Sequence, residues 1–274
     1  LAEEVLLDAG LPEREDELLP WKLHSSLNSI TTTAPLPLVR HSECLQMIAN
    51  AAGCVMYVDR EGFLRIEPAP TSMTDYRVDN FNSYKRPEVA LTKPLKQVDV
   101  SYYSFVVDAE VKEIYKGQLS VSGTETIQIT YSNPAVEAVA TVEGGTLVSA
   151  TYYTNACELE ITASGVVEIT IVGKELKTSE AVVTVSTGEP GETQSVKNKL
   201  ITSQSRATAV ANWVKEYLMN RRIVSFEWRA DPRLDALDKI VVQNKFGISP
   251  LRVTEFTIAY NGAFKGKGRG RDLG

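Results

Sequence analysis

The stretch CELEITASGVVEITIV, residues 157–172, decides the fold class. Cys157, Leu159 and Ile161 alternate with Glu158, Glu160 and Thr162, the period of two that a strand with one wet face requires. Past the turn-forming Ala-Ser-Gly at 163–165, a second β-type run extends from Val166 to Val172. Working outward, similar runs lie at Thr126 to Tyr131, Val136 to Val142, Leu147 to Tyr153 and Val182 to Ser186, with a weaker lead-in at Leu119 to Val121. The motifs EGG, TNA and GKEL supply turns between them.

About seventy residues of evenly spaced short strands predict a small immunoglobulin-like sandwich over 117–189. Its flanks read differently. VDVSYYSFVV (98–107) sets Val98, Val100 and Tyr102 against Asp99 and Ser101, another strand, while TGEPGETQ (187–194) reads as a glycine and proline linker. At the N-terminus LAEEVLLDAGL places Ala2, Val5, Leu6 and Ala9 at helical spacing before Gly10, and reads as a helix already under way in a longer polypeptide. After a polar, proline-punctuated stretch to about Pro37, HSECLQMIANAAG (41–53) predicts a helix. Ser42 is its expected N-cap, Glu43 lies in the first turn, and Leu45, Ile48, Ala49 and Ala52 share one face before Gly53. CVMYV and FLRIEP then flank the loop DREG (59–62) as a hairpin. Beyond the linker, Ala207, Val210, Val214, Tyr217 and Leu218 mark a helix from about Ser203 to Met219, and RIVSFEW, DKIVVQN and LRVTEFTIAY read as strands. The expected fold class is α+β, mainly β: a helix-plus-strand body made of 1–116 and 190–274, with the sandwich at 117–189 inserted into it.

Composition narrows the function. With 29 Lys and Arg against 35 Asp and Glu the net charge is −6, which gives nucleic acid no electrostatic attraction to the chain as a whole. Cys44, Cys54 and Cys157 are an odd count that fits buried thiols in a reducing compartment better than a disulfide framework. No apolar run is long enough for a membrane span and no signal-peptide pattern opens the chain.

The chemical candidates centre on EWRADPRLDALDKIVVQNKF, residues 227–246. Asp231, Asp235 and Asp238 lack the alternate-position ligands and closing Glu of an EF-hand, and Arg229 and Arg233 would hold them ionised, which disfavours a general acid. Pro232 stiffening an interstrand loop, with Leu234 and Leu237 plugging into the core, accounts for the same residues as architecture. His41, Cys44 and Cys54 lack a fourth zinc ligand, and His24 and His41 sit in no nucleophile motif, so no metal, cofactor or catalytic residue is expected. In the tail KGKGRGRDLG, Lys265, Lys267, Arg269 and Arg271 read either as a solvated flexible terminus or as a grip on phosphate or an acidic neighbour. Tyr102, Tyr103, Phe105, Tyr152 and Tyr153 could stack on sugars, although at least half should be core or cross-strand pairs.

Two segments carry a family likeness. NKLITSQSRATAVANWVKEYLMNRRIVSFEWRADPRLDALDKIVVQN (198–244) followed by LRVTEFTIAYNGAFKGKGRGR (251–271), together with HSECLQMIANAAGCVMYVDREGFLRIEP (41–68), resembles baseplate hub or tail-associated proteins of siphophages and prophages of Gram-positive bacteria. The resemblance implies a non-enzymatic structural protein of the virion tail, in a β-barrel-like hub whose partners are other tail and baseplate subunits and copies of itself, commonly three. It implies that Arg229, Asp231, Pro232, Arg233, Asp235 and Asp238 form a turn entering a barrel strand at Lys239 to Gln243. Tyr260, Asn261, Gly262 and Phe264 would form an anchored closing turn. The inserted sandwich would project toward a neighbour or a cell-wall glycan. A carbohydrate-binding or adhesion module is the alternative function, and a tail-associated peptidoglycan hydrolase a more distant one.

Overall fold

The computed structural model describes residues 1–11 and 19–273; part of the polar stretch expected before Pro37 lies outside the described residues. In chain order the elements are α1 (Ala2–Asp8), β1 (Trp21–Leu23), a 3-10 turn (Ser25–Ser29), α2 (His41–Ala52), β2 (Val55–Val58), β3 (Leu64–Glu67), β4 (Met73–Val78) and β5 (Ser83–Leu91). There follow β6 (Leu95–Thr130), β7 (Ala135–Glu143), β8 (Thr146–Tyr152), β9 (Ala156–Ser186) and β10 (Glu192–Lys197). The chain closes with α3 (Gln204–Met219), β11 (Arg222–Arg229), β12 (Lys239–Asn244), β13 (Gly247–Tyr260) and β14 (Phe264–Asp272). The protein is therefore mainly β with few helices.

Local signals explain the helices. The Ser203 side chain accepts the Arg206 backbone N–H at 3.2 Å and starts α3, while Gly53 ends α2 in the left-handed region at φ 62°. Helix α2 begins two residues earlier than expected. Arg40 is its N-cap, with no side-chain cap, so Ser42 lies inside the first turn. His41 instead ties the helix to α1 by pairing with Asp8 at 2.9 Å.

Among the described residues the strands form three sheets, in the orders β1-β3-β2, β10-β6-β9-β7 with β8 also on β9, and β4-β12-β13-β14-β11-β5. Three hydrophobic clusters match this division. The first gathers α1, α2, α3, β1, β3 and the start of β6 around Leu6, Ile48, Val98, Val100, Ile201 and Val210. The third covers one face of the six-stranded sheet with Val78, Val224, Phe226, Trp228, Leu234, Ile240 and Leu251.

The second cluster belongs to the expected sandwich, which is built unlike the sequence reading. Several short runs fuse. Leu119–Val121 and Thr126–Thr130 lie in β6, whereas Cys157–Thr162, Val166–Val172 and Val182–Ser186 all lie in β9, and the two long strands pair antiparallel from Gln97↔Ser186 to Thr130↔Ala156. The Ala-Ser-Gly signal at 163–165 bends β9 without interrupting its ladder, because Val121 to Gly123 on the partner bend with it, Gly123 at φ 87°. The ribbon doubles back as a result. Ala135 donates its N–H to the carbonyl of Thr154, just before β9, and is the register partner of Glu175, so the two ends of the 154–175 stretch meet. One layer is β7 with the 168–175 part of β9, and the other is β8 with the 157–162 part. Cys157, Leu159 and Ile161 face Val167, Ile169 and Ile171 across one core. Position 117 lies within β6, in unbroken pairing with Ile169, and 189 lies in the loop before β10.

The expected barrel also needs correcting. In the six-stranded sheet the end strands β4 and β5 are consecutive in sequence, joined by residues 79–82 with Ser83 N–H donating to Asp79 at 2.9 Å. That short link curls the sheet, yet no ladder joins its ends among the described residues, so the sheet is open and no closed barrel forms.

Candidate functional site

The acidic loop between β11 and β12 is a latch between two parts of the fold. Asp231 accepts the Arg233 backbone N–H at 2.9 Å and takes its guanidinium on both oxygens, Nη2 to Oδ2 at 2.6 Å. This pairing holds the Asp231 carboxyl below the usual range. Asp238 accepts the Asp235 N–H at 2.8 Å, closing the next turn, and Leu237 occupies the left-handed region at φ 68°. Arg60, from the turn between β2 and β3, reaches across the fold: its backbone N–H donates to Asp235 Oδ2 at 3.1 Å and its guanidinium lies 3.8 Å from Asp238 Oδ2. Its Nη2 also donates to the Arg233 carbonyl.

The expectation that Arg229 and Arg233 neutralise all three aspartates is thus right for one pair. Arg229 is exposed at the end of β11, with its backbone N–H on Asn82, and the cation at Asp235 and Asp238 is Arg60. At Asp238 burial pushes the carboxyl up, against the pull of the Asp235 N–H and Arg60. Pro232 is exposed in the loop, Leu234 is buried in the third core, and Leu237 is half-buried. On the facing turn Asp59 accepts the N–H groups of Glu61 (3.0 Å) and Phe63 (2.9 Å) and pairs with Arg65. Burial pushes Asp59 up, but these donors outweigh it and hold it low. A crevice of about 230 Å³ separates the turn from residues 235–238. Its aspartates have donors of the fold as partners, which makes the cluster a mechanical connection rather than a poised acid and base.

Linkage gives these two aspartates opposite pH signatures. Asp231 has a folded pKa below its unfolded one, so its stabilisation is present above the ordinary carboxylate range and is lost as pH falls through the folded value. Asp238 has a raised folded pKa, so its contribution favours folding at low pH and fades as pH rises toward that value. We expect Asp231→Asn to cost about 1 kcal/mol at neutral pH, with the deficit closing as pH falls below the ordinary carboxylate range. Asp238→Asn should improve relative to wild type as pH rises. Thermal melts of both variants across pH check this, and parallel profiles would refute it.

The histidine and cysteine candidates separate. His41 pairs with Asp8, and His24 caps the 3-10 turn by accepting the Ser26 N–H at 3.1 Å. Cys44 and Cys54 are buried in the first core and Cys157 in the second, and burial pushes all three thiols up, away from the reactive thiolate. Among the described residues no group of three or more His, Cys, Asp or Glu is arranged to hold a metal ion.

The tail expected as a flexible terminus or phosphate grip is β14, a central strand between β13 and β11. Its glycines alternate with its cations. Gly266 and Gly268 lie opposite Trp228 and Phe226, whose rings fill the space a side chain would take. On the other face Lys267 lies 3.7 Å from Glu227 and Arg269 3.2 Å from Glu255, so these two charges are met within the sheet. The closing turn joins β13 to β14: Tyr260 and Phe264 are register partners with ring centroids 5.0 Å apart, Asn261 donates to the Ala263 carbonyl, and Gly262 sits at φ 74°.

No protein-family profile matches the chain, and no curated protein matches its sequence. Solved structures similar to it are virion and tail proteins. One, from the virion of a native gene transfer agent particle, is 13% identical with a TM-score of 0.46, over 98% of this chain and 46% of that one. A 43 kDa tail protein of prophage MuSo2 from Shewanella oneidensis is 9% identical with a TM-score of 0.43, over 84% of this chain and 53% of that one. A prophage tail protein from Listeria monocytogenes is 8% identical with a TM-score of 0.44, over 97% of this chain and 64% of that one. The chain thus spans about half to two thirds of the length of these structures.

Proposed function

We propose that the chain is a structural subunit of a phage or prophage tail, at the tail tip or baseplate, and that it works by assembly rather than catalysis. One observation carries this reading: large hydrophobic side chains are exposed at both ends of the six-stranded sheet. At one end are Tyr260, 71% exposed, Tyr84 and Phe264; at the other are Phe246, 64% exposed, Ile248 and Leu91. Contacts along each end group them: Lys265 lies over Tyr84 beside the Tyr260–Phe264 pair, and Arg222, the register partner of Leu91, lies over Phe246. Clustered exposed apolar side chains of this kind mark an interface, and different clusters at opposite ends suit head-to-tail contacts that close into a ring.

In this reading the curled sheet is the barrel-like hub domain and 117–189 an inserted immunoglobulin-like module. Residues 1–116 and 190–274 are the two parts of the body, and the turns at 229–238 and 260–264 are its structural motifs. The partners are other tail subunits and further copies of the chain, three in the ring, and the site of action is the virion tail. A second reading, contact of the module with a cell-wall glycan, is favoured by the exposed ring of Tyr153 beside Tyr152.

Sedimentation of the purified chain should show concentration-dependent assembly at micromolar levels. Phe246→Asp and Tyr260→Asp should each give monomers, and mixing the two variants should restore a dimer through the one intact pair of ends. A monomer at every concentration, unaltered by either change, refutes the reading.

A further inference from the structure

Beneath α3, on the outer side of the six-stranded sheet, lies a cavity of about 600 Å³, in the size range of small-ligand sites. Trp213, Tyr217 and Leu218 of α3 and Val196 of β10 give it apolar walls, and Arg252 and Arg271 line its sheet side. These two arginines are register partners on β13 and β14, and Lys239 on β12 is the register partner of Arg252, so three cations stand in a row on one face. Like charges placed directly opposite each other destabilise a sheet unless something offsets them.

Nothing acidic in the described residues pairs with this row. Arg271 is 8% exposed; its Nη1 donates to the Asn220 carbonyl at 2.7 Å, its guanidinium lies over the Tyr217 ring at 4.5 Å, and its buried Nε has no partner. Arg252 donates from Nη2 to the Pro70 carbonyl at 2.8 Å, and its Nε is likewise buried without a partner. Lys239 donates to the Thr71 carbonyl at 2.7 Å. Glu216, the one acid on the cavity wall, is on the exposed side of α3. Burial pulls Arg252 below the usual guanidinium range, the expected response of a cation without a counter-charge. Buried cations that lack a carboxylate are costly, and a planar guanidinium matches a carboxylate in a two-bond fork.

We propose that this cavity binds a carboxylate carried on an apolar stem, with the carboxylate held by Arg252 and Arg271 and the stem laid against Trp213, Tyr217 and Leu218. A free aliphatic acid and the C-terminus of a neighbouring polypeptide share this chemistry. Titration of the chain with octanoate, read by tryptophan fluorescence and by the unfolding midpoint, should show saturable binding and a raised midpoint. Octan-1-ol, with the same stem and no charge, should bind about tenfold more weakly or worse. Arg252→Gln should weaken octanoate by about tenfold while leaving the alcohol unchanged, and the ligand-free midpoint should hold or rise, since a half-buried charge with an unpartnered Nε is gone.

A peptide ending in Leu-Phe distinguishes the sources. Preference for its free carboxylate over its amide assigns a polypeptide terminus, and binding of octanoate alone assigns a free acid; either supports the site. Absence of saturable binding by both carboxylates, or equal affinity for octanoate and octanol, overturns it. If Arg271→Gln does not fold, the alcohol comparison and Arg252→Gln still decide.

Discussion

Replacing Gly268 by alanine should destabilise the protein by roughly 3 kcal/mol, the upper end of what overpacking a core costs. A Cβ at that position would stand 2.5 Å from the Phe226 ring, and the ring has nowhere to go. Phe226 is itself packed at 5.0 Å against Trp228, which sits over Gly266 with the same 2.5 Å clearance, so one added methyl must displace two interlocked aromatics. The constraint is spatial rather than conformational, because Gly268 does not lie in the left-handed region. Against a typical total stability of roughly 5–15 kcal/mol this is a large fraction, and the thermal midpoint should fall by roughly 6–12 °C. Lys267→Ala, next along the strand but exposed, should change stability by less than about 0.5 kcal/mol. The double variant Phe226→Leu with Gly268→Ala should recover part of the loss, since trimming the ring reopens the space. A midpoint for Gly268→Ala close to wild type would show that the rings do not need the glycine face.

That strand also shows what could and could not be read from the sequence. Helices α2 and α3, the β2–β3 hairpin and strands β11 to β13 announce themselves through local periodicity, caps and turns. In KGKGRGR the period of two is just as regular, but glycine and lysine are poor strand formers. The strand becomes legible only once Phe226 and Trp228 are known to lie opposite, which makes the empty face the buried one. Partnerships between distant segments were hidden for the same reason. Arg60 lies 175 residues from Asp235, and nothing near Asp235 points to it. Arg252 and Arg271 read as one strand charge and one tail charge until the register sets them opposite each other. In the sandwich the turn signals were genuine, yet a turn signal cannot distinguish the end of a strand from a bend through which the ladder continues, as at 163–165.

The long ribbon decides where the inserted module can be removed. Replacing residues 108–175 by Asn-Gly, so that a tight turn joins Val107 to its register partner Leu176, should leave the body folded with a midpoint within a few degrees of the parent. The two cores share no residue: Ile114, Leu159, Ile169 and their neighbours leave as a unit, whereas Val98, Val100, Val183 and Val185 stay with the helices. The described side-chain interactions lost between module and body are the hydrogen bond from Asn155 Nδ2 to the Leu36 carbonyl, of about 1 kcal/mol, and the pair of exposed Lys177 with Asp108 at 3.1 Å, which solvent screening leaves weak. Cutting at 118–188 instead should give an unfolded or insoluble product. That deletion removes Lys177–Ser186, which hydrogen-bonds β6 along Gln97–Val106, and takes Val183 and Val185 out of the first core. Far-UV circular dichroism and amide exchange on β6 of both products discriminate the outcomes. A folded 118–188 deletion beside a collapsed 108–175 deletion would mean that the body draws its stability from the module, and would sink its reading as an insertion.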